Sequence, residues 1–263
     1  MMRAMGTAAS GMKAMQLQID TISNNLANVN TTGYKKSDLA FQDLLYEQVV
    51  PGGQLRASGL VAPTQVEVGH GVKMVSTARD FRQGTVQATN NPLDLMIEGE
   101  GFFQLSMPDG TLGYTRDGNF KMDSERNIVT ALGYRLEPSL QVPADATEIS
   151  IARDGTVSVR LAGDTANVQD IGQIQLVRFP NSAGLSAKGS NVFLESPSSG
   201  APLTSNPGQD GVGEISSGFL EMSNVETVDE LVRMITAQRA YELNSKTISM
   251  ADQMLQTANN IKR

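Results

Sequence analysis

Met1-x-x-x-Met5-x-x-Ala8-x-x-x-Met12-x-x-Met15-x-x-x-Ile19-x-x-Ile22-x-x-x-Leu26-x-x-Val29 opens the chain. Its apolar residues recur at alternating intervals of four and three, a heptad seam sustained for about four heptads, which places them on one face of a single helix. The other face is small or polar, with Ser10, Lys13, Gln16, Asp20, Asn24 and Asn25. The run Asn28-Val29-Asn30-Thr31-Thr32-Gly33 ends the helix, because Asn and Thr favour caps and turns and Gly33 can take the left-handed cap. Ordering such a helix alone costs more backbone entropy than its seam recovers, so the seam has to be covered.

The other end of the chain mirrors this. Ser223-x-x-Glu226 and Thr227-x-x-Glu230 are overlapping capping-box candidates, and a helical run follows to the end. One face carries Met234, Ala237, Tyr241, Ile248, Ala251, Leu255 and Ala258; a second carries Leu243, Met250, Met254 and Ile261. A helix apolar on two sides needs cover from two sides. The N-terminal helix supplies one partner, and the other has to come from elsewhere. Two arrangements satisfy this: termini that are disordered in the monomer and become helical when subunits stack, or a two-helix appendage packed on the rest of the chain.

Between the ends the period changes. Asp109-Gly110, Asp117-Gly118, Asp154-Gly155 and Asp210-Gly211 are turn signals between short strand-like runs such as Phe102-Phe103-Gln104-Leu105 and Thr156-Val157-Ser158-Val159. Val66-Glu67-Val68 and Val72-Lys73-Met74-Val75 flank Gly69-His70-Gly71 and read as a hairpin. Residues 46–65 read as a loop or extended arm, and Ser196 to Gly213 as a return linker. The expected class is α+β. The two terminal helices pair as a coiled-coil-like inner domain (1–33 with 223–263), residues 34–94 form an extended connecting arm with a hairpin, and residues 95–222 form a mostly-β outer domain with its return linker.

Composition narrows the function. Aromatic residues are 5% of the 263, so a core would lean on Val, Ile, Leu and Met, and the 13 Met suit surfaces that repack against several partners. The net charge of −7 is uneven: +3 over residues 1–36, −3 over 37–71, −7 over 72–222 and zero over 223–263. An acidic middle argues against nucleic acid and against an anionic membrane surface. No stretch reaches the roughly 20 apolar residues of a membrane span, and the opening residues hold no apolar run of secretory-signal length. With no Cys, disulfides, thiolate catalysis and Cys-based zinc sites are excluded. His70 is the only histidine and sits between two glycines, as a turn residue does, so no Ser-His-Asp set can be built without it. Glu98 with Glu100, and Asp123 with Glu125, are the near pairs on which glycan cleavage would have to rest; in an acidic β domain such pairs arise by chance. Gly99-Glu100-Gly101 precedes strand-like residues, with no helix or Lys after it, and reads as a turn or bulge. No catalytic, cofactor-binding or metal-ligating residue is assigned.

Ile22-Ser23-Asn24-Asn25-Leu26-Ala27-Asn28-Val29-Asn30-Thr31-Thr32-Gly33-Tyr34-Lys35 resembles the N-terminal signature of bacterial flagellar rod and hook proteins. Ser223-Asn224-Val225, Ala237-Gln238-Arg239-Ala240-Tyr241-Glu242-Leu243-Asn244-Ser245-Lys246 and Asp252-Gln253-Met254-Leu255 resemble the matching C-terminal signature. Asn91-Pro92-Leu93-Asp94, Gly99-Glu100-Gly101-Phe102-Phe103 and Tyr114-Thr115-Arg116-Asp117-Gly118-Asn119-Phe120 agree in the centre. The chain departs from the pattern at Gly6-Thr7-Ala8-Ala9-Ser10, where relatives often carry bulkier residues.

The resemblance implies a non-enzymatic subunit of a tubular polymer, with both terminal helices lining the channel. Length and the insert after Phe41 favour the distal rod, a straight drive shaft that passes torque to the hook. Proximal rod or hook subunits, and then a secreted cell-wall-acting β-domain enzyme, are the alternatives. The assembly interface is expected at Met12, Met15, Ile19, Ile22, Leu26, Val29, Met234, Tyr241, Leu243, Ile248, Met250, Met254 and Leu255. Asn24, Asn25, Asn28, Asn30 and Gly33 are expected to cap the helix or set register. The insert that keeps the rod straight is expected to include Tyr46, Pro51, Gly52, Gly53 and Pro63. Expected partners are like subunits, proximal rod proteins, hook protein or the hook–rod junction, cell-wall and outer-membrane ring proteins, the flagellar export apparatus and the rod cap, with no nucleic acid and no membrane insertion. The expected location is the basal body from periplasm to outer membrane, after export without a cleaved signal peptide.

Overall fold

A computed structural model of the chain describes residues 2–50, 64–162 and 168–261. The chain divides into unit 1, residues 1–26, 37–78 and 226–263, and unit 2, residues 27–36 and 79–225. Two helices at the ends and a mostly-β middle make the fold α+β.

Unit 1 holds helix α1 (Met2–Ala27), strands β1 (Ser37–Asp43), β2 (Tyr46–Val50), β3 (Val66–Gly69) and β4 (Val72–Arg79), and helix α2 (Thr227–Ile261). Strand β1 pairs with β4, and β2 pairs antiparallel with β3, with Tyr46 opposite Gly69 and Val50 opposite Val66. The expected hairpin across Gly69-His70-Gly71 therefore does not form. Both of its strands pair instead with the chain before residue 51, and the glycines mark a break in the return side of a ribbon. The local pattern of two short apolar runs around a Gly-rich triplet fits either pairing, and only the longer ladders offered by Ser37–Val50 decide it. Of the straightness insert, Tyr46 begins β2, while Pro51, Gly52, Gly53 and Pro63 lie outside the described residues.

Unit 2 holds the remaining strands: β5 (Val86–Ala88), β6 (Leu95–Glu98), β7 (Phe102–Ser106), β8 (Leu112–Thr115), β9 (Phe120–Met122), β10 (Ile128–Thr130), β11 (Arg135–Glu137), β12 (Ala146–Ile151), β13 (Thr156–Leu161), β14 (Val168–Gln173), β15 (Leu176–Arg178), β16 (Ser186–Gly189), β17 (Val192–Leu194), β18 (Leu203–Ser205), β19 (Glu214–Ser217) and β20 (Phe219–Glu221). The largest sheet runs β16-β17-β8-β7-β11-β10-β9, with β15 joining β7 to β18. Strands β12-β13-β14 form a second sheet, and β19-β6 and β20-β5 form two ladders. The span Ser196–Gly213 carries β18, paired to β15, so it is not only a linker.

Period-2 alternation builds two cores from the large sheet. In β7, Phe103 and Leu105 enter the main cluster, with Phe120, Leu136, Ile174 and Ile215. Phe102 points the other way, into a cluster with Tyr114, Val177, Phe179 and Phe193. Register keeps neighbours matched: Leu176 lies opposite Phe103 and Val177 opposite Phe102. The scarce rings are concentrated here, in edge-on pairs such as Phe103–Phe120 at 5.1 Å and Tyr114–Phe179 at 4.8 Å between centroids. Two of the Asp-Gly signals close hairpins, Asp109-Gly110 between β7 and β8 and Asp154-Gly155 between β12 and β13, and both glycines have positive φ. The other two lie in connections between strands that do not pair with each other.

Candidate assembly surface

In unit 1, α1 and α2 run antiparallel. Asn25 Nδ2 donates to Glu230 Oε2 at 3.3 Å, and Gly11 faces Asn244, whose Nδ2 would lie 3.0 Å from a Cβ placed on the glycine. Position 25 thus meets 230, and position 11 meets 244. Glu230, Ala237, Asn244 and Ala251 recur every seven residues, so they form the line of α2 turned to α1. Glu230, Ala237 and Ala251 are buried on α2, and Ala8, Ala14, Ile22 and Asn25 on α1. The seam is narrow and lined by small residues. It is rotated from the heptad face read in the sequence, so Met12, Met15, Ile19 and Leu26 flank it half-buried, while Ala8 and Ile22 of that face are buried. Val29, beyond the end of α1, is also half-buried.

The far side of α2 is uncovered by the described residues of the unit. Val228, Val232, Ile235, Leu243, Met250 and Met254 follow one stripe at helical spacing, with exposures from 47% at Met250 to 67% at Leu243. Arg239 and Lys246 interrupt it. Among the expected interface residues, Met234 and Ile248 are half-buried, Tyr241 and Leu255 lie at the edge of exposure, and Leu243, Met250 and Met254 stand out in the stripe. Isolated exposed apolar residues are ordinary, but a stripe running the length of a helix marks an interaction surface.

Among the expected register and capping residues, Asn25 is the most tightly held. Its Nδ2 donates to Ser37 O and its Oδ1 accepts from Ser37 N, both at 3.0 Å, so with Glu230 it ties together α1, β1 and α2. Glu230 does not close a capping box with Thr227. Its carboxylate is 1% exposed and turned to Asn25, with Arg233 at 3.5 Å, because a charge buried on the α1 side needs partners there. Asn28 accepts from the Thr31 hydroxyl at 3.1 Å and Thr31 N–H returns to Asn28 O, the turn that ends α1 at Ala27. Asn24 and Asn30 are exposed. Gly33 has φ +66, and a Cβ there would lie 2.5 Å from the Asp117 amide nitrogen, so the position requires glycine.

At the base of unit 2 the terminal and central motif runs converge. Glu221, fully buried, accepts from Lys35 Nζ at 2.6 Å, Gly84 N at 2.8 Å and Arg116 Nε at 3.0 Å. Lys35 also donates to Arg82 O at 2.7 Å, and Arg116 to the carbonyls of Gly99 and Gly101. Burial pushes the Lys35 ammonium below its ordinary range; Glu221 opposes this and Arg116 adds to it. Burial alone would raise Glu221, but the Arg116 and Lys35 cations outweigh it and hold the carboxyl below the usual range. Asn224 fastens the same corner, accepting from Lys36 N and donating to Asp80 O, both at 2.8 Å. Sequence reading did not single out Lys35, Arg116, Glu221 or Asn224. Their only signal was position inside or beside the motif runs, since the partners are 105 and 186 residues apart.

The acids of the near pairs are engaged in local contacts, and Asn127 Nδ2 donates to both Asp123 and Glu125. Glu98 accepts from Ser216 Oγ, Glu100 pairs with Arg178, Asp123 accepts from Asn127, and Glu125 pairs with Arg135. His70 lies beside Glu47, with Nε2 at 3.6 Å from Oε2.

Residues 5–35 match the family described as Flagella basal body rod protein. Residues 96–159 match the Flagellar hook protein FlgE/F/G D1 domain, and residues 216–261 match the Flagellar basal body rod FlgEFG protein C-terminal family. The chain is 49% identical to the flagellar basal-body rod protein FlgG of Borreliella burgdorferi, over 100% of both chains. The chain belongs to the flagellar basal-body rod protein family. A second rod protein FlgG, from Bacillus subtilis, is 41% identical over 100% of both chains. The flagellar hook-basal body complex protein FlhP of the same organism is 31% identical, also over 100% of both. The rod-family matches cover both helices and the buried corner where Gly33, Lys35 and Glu221 meet. As a member of this family the chain is a structural component of the flagellar basal body and not an enzyme.

Proposed function

We propose that this rod-family chain polymerises into the straight, tubular distal rod that carries torque to the hook, and that α1 and α2 are its assembly elements. The observation that carries the proposal is the uncovered stripe of α2. One side of the helix faces α1 along small residues, and the other presents Val232, Leu243, Met250 and Met254 to whatever lies outside the unit. A second copy supplies a matching apolar face. In this reading Met12, Met15, Ile19, Ile22, Leu26 and Val29 join the α2 residues in the assembly layer, with the helices in coiled-coil-like packing. Asn25 sets the register between helices, and Tyr46 with residues 51–63 belongs to the segment that keeps the tube straight. The domain reading proposed is an inner helical layer, a connecting arm and an outer β domain.

The finer partners belong to the same proposal. They are proximal rod proteins on one side, hook protein or the hook–rod junction on the other, ring proteins of the cell wall and outer membrane around the shaft, and the export apparatus and rod cap during assembly. The place is the basal body between periplasm and outer membrane. Sedimentation and electron microscopy of the purified full chain test the central statement. Straight helical fibres that disappear when residues 230–263 are deleted support it. A monodisperse monomer at every concentration and salt condition tried would overturn it.

A further inference from the structure

The small run Gly6-Thr7-Ala8-Ala9-Ser10 of α1 and the Gly69-His70-Gly71 break in the ribbon meet inside unit 1. Gly71 has φ +113, a conformation that side-chain-bearing residues rarely adopt, and a Cβ on it would overlap Ser10 Oγ and sit 3.4 Å from Thr7 Cα. Ser10 Oγ accepts from Val72 N–H at 3.3 Å and donates to Thr7 O at 2.8 Å. Two turns toward the N-terminus, Arg3 pairs with Glu47 of β2 at 2.8 Å, and the other oxygen of Glu47 lies 3.6 Å from His70 Nε2. Leu44 N donates to Gly71 O at 2.8 Å, which closes the gap between the β1–β4 and β2–β3 ladders.

Positions 3, 7 and 10 lie on one face of α1. The ribbon is thus pinned along that face at the point where its two ladders part. The Arg3–Glu47 and His70–Glu47 pairs are about half exposed and contribute little on their own. The contact that leaves no freedom is backbone on helix, Gly71 against Thr7 and Ser10, and it needs small residues on both sides.

We infer that Ser10 and Gly71 are a positioning pair that fixes where the β2–β3 ladder leaves α1. This deepens the proposed function and rests on it, because the ladder leads into the segment assigned to straightness. It also gives a reason for the small residues at positions 7 and 10, where the ribbon crosses the helix.

Two variants of the full chain test the inference. Gly71→Ala forces a side chain into the crossing, and its fibres are expected to lose the straightness of wild type while still forming through the helices. Ser10→Ala keeps the room but removes the acceptor of the Val72 amide, and exchange of that amide is expected to rise about five- to tenfold, the loss of one ordinary hydrogen bond. The exchange measurement works on the soluble chain as well as on fibres, so it decides the point even if Gly71→Ala does not assemble. Gly71→Ala fibres as straight as wild type, or a Val72 amide in Ser10→Ala that exchanges at the wild-type rate, would overturn the positioning role. Absence of fibres from the wild-type chain would instead count against the proposed function.

Discussion

The β unit and the helix pair solve the burial problem to different degrees. Unit 2 buries Phe103, Phe120, Leu105, Leu136, Ile174, Leu176 and Ile215 completely, and even its internal charges at Lys35, Arg116 and Glu221 have partners. Helix α2, with 35 residues, buries only Glu230, Ala237 and Ala251 among those whose burial is described, while Leu243, Val232 and Met254 remain more than half exposed. One region has finished its core from its own residues. The other has spent its small residues on one narrow seam and kept its large apolar ones on the outside. The difference teaches that α2 leaves a continuous apolar stripe uncovered, whereas the exposed apolar residues of the β unit, such as Leu132, Val168 and Leu203, are scattered over separate elements.

The contrast can be broken most decisively at the stripe. Replacing Leu243 and Met250 together by Asp is expected to abolish fibres in electron microscopy, because the change places charges in a surface proposed to be dry on assembly. The same double variant is expected to leave the urea unfolding midpoint of the β unit unchanged, since both side chains are exposed. Fibres from this variant would separate the stripe from assembly.

The next largest effect lies in the β unit itself. Glu221→Gln leaves two buried cations without their anion and is expected to cost about 3–5 kcal/mol in urea unfolding. The pH dependence has the matching sign. A depressed folded pKa means the unfolded chain binds the proton more readily. The stability that Glu221 contributes is therefore complete above the ordinary carboxylate value of about 4.3 and is lost as pH falls through the lower folded value. Unfolding free energy measured from pH 7 downward is expected to decline over that acid range in wild type and to decline less steeply in Glu221→Gln. A smaller effect is expected from Gly33→Ala, on the order of 1–3 kcal/mol, from a left-handed conformation combined with contact on the Asp117 backbone. A neutral result there would mean that the corner tolerates movement.

How much of this was legible in the sequence varies with the range of the interaction. Helix period is local, so Met5 to Leu26 and Met234 to Leu255 announced both helices, and the two-sided character of α2 was visible before any packing was known. Asp-Gly turns and short strand-like runs announced the β middle. Which strand meets which was not legible. The triplet at Gly69 to Gly71 read as a hairpin because its true partners are Tyr46 to Val50 and Ser37 to Asp43, across a long insertion. The face of α1 that packs was misplaced by a fraction of a turn, because side-chain size set the seam: the small residues Ala8, Gly11 and Ala14 let α2 approach where the methionines would hold it off. The Lys35–Arg116–Glu221 corner was invisible to spacing, because its members become neighbours only when the ends of the β unit meet.

The measurement that tests the central claim most directly is amide exchange along α2 in the soluble chain and in assembled fibres. If α2 is completed by other copies, its amides between Leu231 and Leu255 exchange quickly in the soluble chain and become strongly protected in the fibre, while β7 and β15 are protected in both. Strong protection of α2 in the soluble chain, unchanged on assembly, would contradict the account.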